Sequence, residues 1–118
     1  MRILKFIVNG QIITKDPNCD FDGLIPGSNG YLKAEFSFSP EWKNYAKVAS
    51  FWSVMGKEYT PKKITDDRNC IIPAEALQKR TFKIQVVGMD INGNKIKTNK
   101  VAVSQNGKTE VNYNESSR

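Results

Sequence analysis

The sequence predicts an all-β fold, a small antiparallel β-sandwich with one or two short helical turns. Three observations predict it. Apolar and polar residues alternate in short runs, clusters of turn-forming residues separate the runs, and no 3.6-residue period lasts beyond about two turns. At 118 residues and 13.3 kDa the chain is one domain's worth, with the β-rich domain expected over residues 1–105 and a polar C-terminal tail over 106–118. An apolar fraction of 39% with 25% charged residues is globular, and a mean hydropathy of −0.50 leaves little spare apolar surface.

The elements follow in order. Ile3 to Val8 and Gln11 to Thr14 read as a hairpin across Asn9-Gly10, a dipeptide that tolerates a type I′ turn. Asp16 to Gly30 is rich in Gly, Pro, Asn and Asp and reads as a loop, long for a compact domain. Tyr31 to Phe38 alternates as a half-buried strand. Ser39-Pro40-Glu41-Trp42 reads as an N-cap with proline at the first helical position. In Ala46 to Val54, one face holds Val48, Ser50, Trp52 and Val54, the other Lys47, Ala49, Phe51 and Ser53. Lys57 to Thr65 is a weaker edge strand broken by Pro61. After the turn at Asp66 to Asn69 comes a short strand, Cys70-Ile71-Ile72, then a helical turn at Pro73 to Leu77. The strongest strand sets Phe82, Ile84, Val86 and Gly88 on one face, and Lys95 to Val103 pairs back across Asn92-Gly93.

Composition narrows the chemistry. The chain carries 18 Lys and Arg against 12 Asp and Glu, a formal charge of +6, and no histidine. That removes Ser-His-Asp and Cys-His nucleophile activation and every histidine-containing zinc site. Asp66-Asp67 reads as a solvated turn, and Asp16, Asp20 and Asp22 lack the glycine and glutamate of a calcium loop. Gly23, Gly27 and Gly30 do not have phosphate-loop spacing. The expectation is a binding protein without cofactor, not an enzyme. Cys19 and Cys70 read as free thiols of a reducing compartment. No apolar run of bilayer length and no apolar signal-peptide core is present, so the expected compartment is a cytoplasm.

One constellation has nucleotide-binding character. Lys79-Arg80 precedes Phe82-Lys83, and Lys95, Lys97 and Lys100 lie across the Asn92-Gly93 turn, with Lys100 expected on the face opposite Lys95 and Lys97. Charge for phosphate, a ring for a base and an amide for its edge are what a nucleotide requires. The competing reading makes the lysines a soluble edge and Phe82 a core residue. Trp42, Trp52, Phe51, Tyr45 and Tyr59 read as packing in preference to a single-strand nucleic-acid platform. A charge of +6 without an arginine cluster is thin for a binder of long nucleic acid.

Several stretches, taken in order, carry a family resemblance. They are Lys5-Phe6-Ile7-Val8-Asn9-Gly10-Gln11, Asp16-Pro17-Asn18-Cys19-Asp20-Phe21, Gly30-Tyr31-Leu32-Lys33-Ala34-Glu35-Phe36, Glu41-Trp42, Lys47-Val48-Ala49-Ser50-Phe51, Cys70 to Leu77, Val87-Gly88 and Thr98-Asn99-Lys100-Val101. The chain resembles small proteins of phages and prophages of Gram-positive bacteria, and looks most like the phage proteins that defeat the Thoeris antiphage system. That resemblance implies a sponge acting in the host bacterial cytoplasm. It would bind a cyclic ADP-ribose isomer, or a related cyclic nucleotide or oligonucleotide, without cleaving it. It also implies a homo-oligomer, dimer or higher, with pockets shared between subunits. It assigns Phe82 to base stacking, Asn92 to base or ribose hydrogen bonding and Cys19 to the ligand loop, with Arg2, Lys57 and Arg80 as candidates for the pyrophosphate. The run from Phe36 through Trp42 to Phe51, with Ile72-Pro73 and Val87-Gly88, is also similar to β-sandwich modules of phage baseplates and head fibres. That alternative is a virion module without a ligand. The expected site lies where the start of the Phe82 strand, the Asn92-Gly93 turn and the Cys19 loop converge across a subunit boundary.

Overall fold

The computed structural model describes residues 1–107. The tail expected over 106–118 therefore lies, from residue 108 onward, outside the described residues. The fold is all-β, with a 3-10 turn at Pro40–Trp42 and one α-helical turn, α1, at Ala74–Leu77.

The first sheet contains β1 (Arg2–Asn9), β2 (Ile12–Lys15), β3 (Leu32–Phe38) and β6 (Asn69–Ile71), in the order β2-β1-β3-β6. β1 and β3 run parallel, from Arg2 opposite Leu32 to Val8 opposite Phe38, so the sheet is mixed and not purely antiparallel as expected. The cause is the long loop after β2. A parallel pair needs a crossover of about a dozen residues or more, and the segment between Lys15 and Leu32 supplies it. The β1–β2 turn also differs from expectation: only Gly10 is left-handed, at φ +60°, in the first central position, which fits type II′ and not type I′.

The second sheet runs β5 (Lys62–Lys63), β4 (Ala46–Ser53), β7 (Thr81–Met89), with β8 (Lys95–Lys97) and β9 (Val101–Ser104) sharing the far edge of β7. The single return strand expected over Lys95 to Val103 is thus broken in two. Thr98 turns inward, where its hydroxyl accepts the Val86 amide at 3.0 Å and donates to the Asn99 carbonyl at 2.7 Å. Asn99 then leaves the sheet. Its side chain accepts the Ile13 amide at 2.7 Å and donates to the Ile13 carbonyl at 3.2 Å. One asparagine so completes the open edge of β2 and ties the two sheets together, which shields an edge that could otherwise template another strand. The break also resets the register. Lys100 lies over the Trp52 ring, 3.6 Å from its centroid, on the face of Lys95 and Lys97 and not opposite them.

The sheets close face to face on one core. Leu4, Phe6 and Val8 of β1 and Ala34 and Phe36 of β3 meet Ala49 and Phe51 of β4 and Phe82, Ile84 and Val86 of β7. Each large side chain fully buried there contributes about 1.5–3 kcal/mol. Trp42 closes one end, donating from its indole Nε1 to the Gly10 carbonyl at 2.8 Å. Ser39 does not cap the 3-10 turn; its hydroxyl accepts the Gly10 amide at 3.0 Å instead. Gly88 makes room for the indole: a Cβ there would stand 2.8 Å from Trp42 Cζ3.

Candidate functional site

The residues selected from the sequence scatter over the sandwich: Arg2 meets the Cys19 loop and Lys57 meets Arg80, but the set does not gather at one place. Phe82 is fully buried, second in β7 between Ser53 and Val103. Its ring has no face open to a base, so the core reading of this residue is the one the fold realises. Asn92 is exposed at the far end of the same strand. Phe82 and Met89 are seven residues apart, roughly 23 Å at the rise of a strand, and the turn lies beyond. Cys19 belongs to the other sheet, where it stands in for β2 beside β1: its sulfur accepts the Lys5 amide at 3.3 Å and donates to the Ile3 carbonyl at 3.7 Å. The three-way convergence expected from the sequence therefore does not occur within one chain.

Arg2 is occupied. Its guanidinium donates to the Asp20 and Asp22 carbonyls at 3.0 and 2.7 Å and pins the long loop to β1. Lys95 starts β8 and borders a hollow of about 330 Å³ on the outer face of the second sheet, with Trp52, Gln85 and Lys97. The Asn92 turn is ordered by Asp90. Its carboxylate accepts the Asn92 and Asn94 amides at 3.0 and 2.8 Å and the Asn94 side chain at 2.9 Å, and the Asn94 side-chain bond is the largest cause holding its pKa below the ordinary carboxylate value. Cys70 is a core group: burial pushes its thiol up to about 12, against a smaller opposing effect of Lys62, so it is neutral at physiological pH.

Lys57 and Arg80 do come together. They border a cleft of about 490 Å³ with Val54, Met55, Tyr59 and Lys79, within the usual range of small-molecule sites. Two local structures build it. On one side, Gly56 at φ +91° lets the chain turn tightly after β4: the Lys57 amide donates to the Ser53 hydroxyl at 3.0 Å, and the Ser53 amide to the Lys57 carbonyl at 2.8 Å. On the other side, α1 ends and Lys79-Arg80 lead into β7.

Gln105 fixes that second wall. Fully buried, it donates from its side chain to the Leu77 and Lys79 carbonyls at 3.0 and 2.8 Å, and from its backbone to the Arg80 carbonyl. Its own Oε1 has no partner among the described residues. Gln105 falls at the end of the domain expected over 1–105, and nothing in a polar residue before Asn-Gly marks it as an anchor.

The cleft is electrostatically one-sided. Lys57, Lys79 and Arg80 are exposed, and among the described residues no carboxylate borders the cleft and none of the three cations has an ion-pair partner. Tyr59 and the apolar parts of Val54 and Met55 supply an apolar wall beside the charge. The arrangement suits an anion with an apolar portion, held by charge and hydrogen bonds and released without rearrangement of the core. Among the described residues no group of three or more potential ligands surrounds a metal-sized point, and no helix is long and apolar enough to cross a membrane.

A scan against protein-family models finds no match to this chain, and searches of curated proteins and of solved structures find none either.

Proposed function

We propose that this protein binds and sequesters a small nucleotide anion at the Lys57–Lys79–Arg80 cleft, without cleaving it. Following the resemblance, the ligand is a cyclic ADP-ribose isomer or related cyclic nucleotide, and the biological role is to withhold an immune signal from its effector. The observation that supports this is the set of three cations, unpaired among the described residues, on a cleft where those residues supply an apolar wall and no carboxylate. A pyrophosphate would lie on Lys57, Lys79 and Arg80, with the nucleoside against Met55 and the rim of Tyr59. Met55 is 90% exposed and Val54 56% exposed, so one wall is open to solvent. In this reading a second copy of the chain covers that wall, and the protein works as a dimer or larger assembly.

Calorimetric titration against cyclic ADP-ribose isomers, linear ADP-ribose and cyclic dinucleotides tests the reading. Arg80→Ala and Lys57→Ala should each weaken the tightest member of the panel by about tenfold to a hundredfold, the value of a charge-assisted hydrogen bond of ~1.5–3 kcal/mol. Both side chains are exposed, so the melting temperature should hardly move. Ligand recovered after denaturation should be intact. Unchanged affinity in both variants would remove the cleft as the site, recovery of a cleaved product would overturn sequestration, and no binding across the panel would favour the virion-module alternative.

A further inference from the structure

At the opposite end of β4, a second hollow of about 480 Å³ surrounds Lys47. Lys47 projects to the core side of its strand with Ala49 and Phe51, and its side chain is only 3% exposed. Its ammonium donates to the Tyr45 carbonyl at 2.8 Å and to Asp67 Oδ1 at 3.1 Å, and lies 5.2 Å from the Phe38 ring centroid. A lysine this deep is costly to desolvate, and an apolar residue of like volume would serve packing better.

Its partner is unlike it in every respect. The Asp67 side chain is 82% exposed, on a turn in which both central residues are left-handed, Asp66 at φ +55° and Asp67 at +50°. The Arg68 amide closes that turn on the Thr65 carbonyl at 2.9 Å. Such a turn favours Asn-Gly. This chain has Asn-Gly at 9–10, 29–30, 92–93 and 106–107, yet places Asp-Asp here. A strained, solvated carboxylate therefore sits on a buried ammonium at the mouth of a cavity. It is a partner that can be exchanged.

We infer that the Lys47 hollow binds a small monoanionic carboxylate with a flat apolar body, whose carboxylate takes the place of Asp67 on Lys47. The carboxylate class follows from the resident partner, already a carboxylate in hydrogen-bond range. A single negative charge follows from the lining. Lys43, Lys47 and Arg68 face Asp66 and Asp67, and Arg68 is shared with Glu35 at 3.8 Å, so the balance is too near neutral to favour a phosphate dianion. The flat body follows from Phe38, the half-buried ring beside the ammonium.

Benzoate is the probe, with chloride at equal ionic strength as control and inorganic phosphate as the contrasting anion. In Asp67→Ala, benzoate should raise the melting temperature saturably. It should act at roughly tenfold or more lower concentration than on the unmutated protein, because a tethered carboxylate competes at a local concentration in the millimolar range. Adding Lys47→Met to that variant should abolish the response. Should Asp67→Ala fail to fold, benzoate titrated into the unmutated protein should shift the NMR resonances of the Phe38 ring and the Lys47 side chain, and leave those of Arg80 in place. A response equal to chloride, equal potency of phosphate, or a response that survives Lys47→Met overturns the proposal.

Discussion

β4 has a cation-lined cavity at each end, and the two are built on opposite principles. At the Ser53 end, Lys57, Lys79 and Arg80 stand in solvent beside an apolar wall, without carboxylate partners among the described residues. At the Ala46 end, the ammonium of Lys47 is buried and already held by Asp67 and the Tyr45 carbonyl. Exposed cations cost the fold little and attract anions in a manner that salt screens. A buried cation belongs to the fold itself, and loss of its partner leaves an uncompensated charge. Substitution of the exposed Ser53-end cations should therefore show in affinity alone, whereas removal of Asp67 from Lys47 should also cost stability.

The largest effect should come from beneath the Ser53-end cleft, at Phe82. The ring is fully buried, so Phe82→Ala should cost about 3–5 kcal/mol of folding stability in urea denaturation. A variant within 1 kcal/mol of the parent that had lost nucleotide binding would instead return the ring to the site, and would erase the distinction between cleft and core.

Next in size is Gly88→Ala, which tests the rigidity of the Ala46 end. The added methyl would meet Trp42 Cζ3 at 2.8 Å. The indole cannot easily retreat, being bonded to the Gly10 carbonyl and flanked by Phe38 and Tyr45 with ring centroids 5.3 and 6.2 Å away. Overpacking of this kind costs about 1–3 kcal/mol. Affinity at the Ser53-end cleft should be unchanged, since the two sites lie at opposite ends of β4. A loss of nucleotide affinity equal to that of Arg80→Ala would mean the ends are coupled.

The same contrast explains what the sequence could and could not reveal. The strand pattern was legible wherever alternation was clean: Phe82, Ile84, Val86 and Gly88 share the buried face of β7, as their spacing indicates. The length of the loop after β2 was legible too, but not its consequence, because a crossover long enough for parallel pairing does not oblige it. Alternation gives a period without saying which side is the interior. In β4 the face with Val48 and Trp52 lost to the face with Lys47, Ala49 and Phe51, because the lysine found the neighbouring Tyr45 carbonyl and, from a separate segment, the Asp67 carboxylate. At the candidate site, Lys57 and Arg80 could be selected as basic residues, but their meeting depends on the turn at Gly56 and on Gln105 holding the carbonyls of Leu77 and Lys79. The Gly56 turn is local, but the Gln105 bonds are tertiary contacts between segments far apart in the chain, and no local pattern announces them.

The smallest effect on stability is expected at Asn92, and it decides whether a second subunit matters. Asn92 sits exposed in a three-residue hairpin loop closed by the Gly93 amide on the Asp90 carbonyl at 3.1 Å, with Gly93 left-handed at φ +85°. The loop is organised through backbone amides and the Asp90 carboxylate, and Asn92 contributes its amide, which alanine retains. Asn92→Ala should therefore change folding stability by no more than about 0.5 kcal/mol. Its effect on nucleotide binding separates two assemblies. The turn is at the far end of β7 from Arg80, so a cleft completed within one chain cannot feel the substitution, and affinity should stay at the parental value. If instead the hairpin tip of a second copy covers the open wall beside Met55, Asn92→Ala should weaken binding by roughly fivefold to tenfold, the net value of one hydrogen bond near 1 kcal/mol. That loss should appear only at protein concentrations where sedimentation shows the assembled species. Measuring affinity and sedimentation on the same samples distinguishes the two, and a weakened monomer would exclude both.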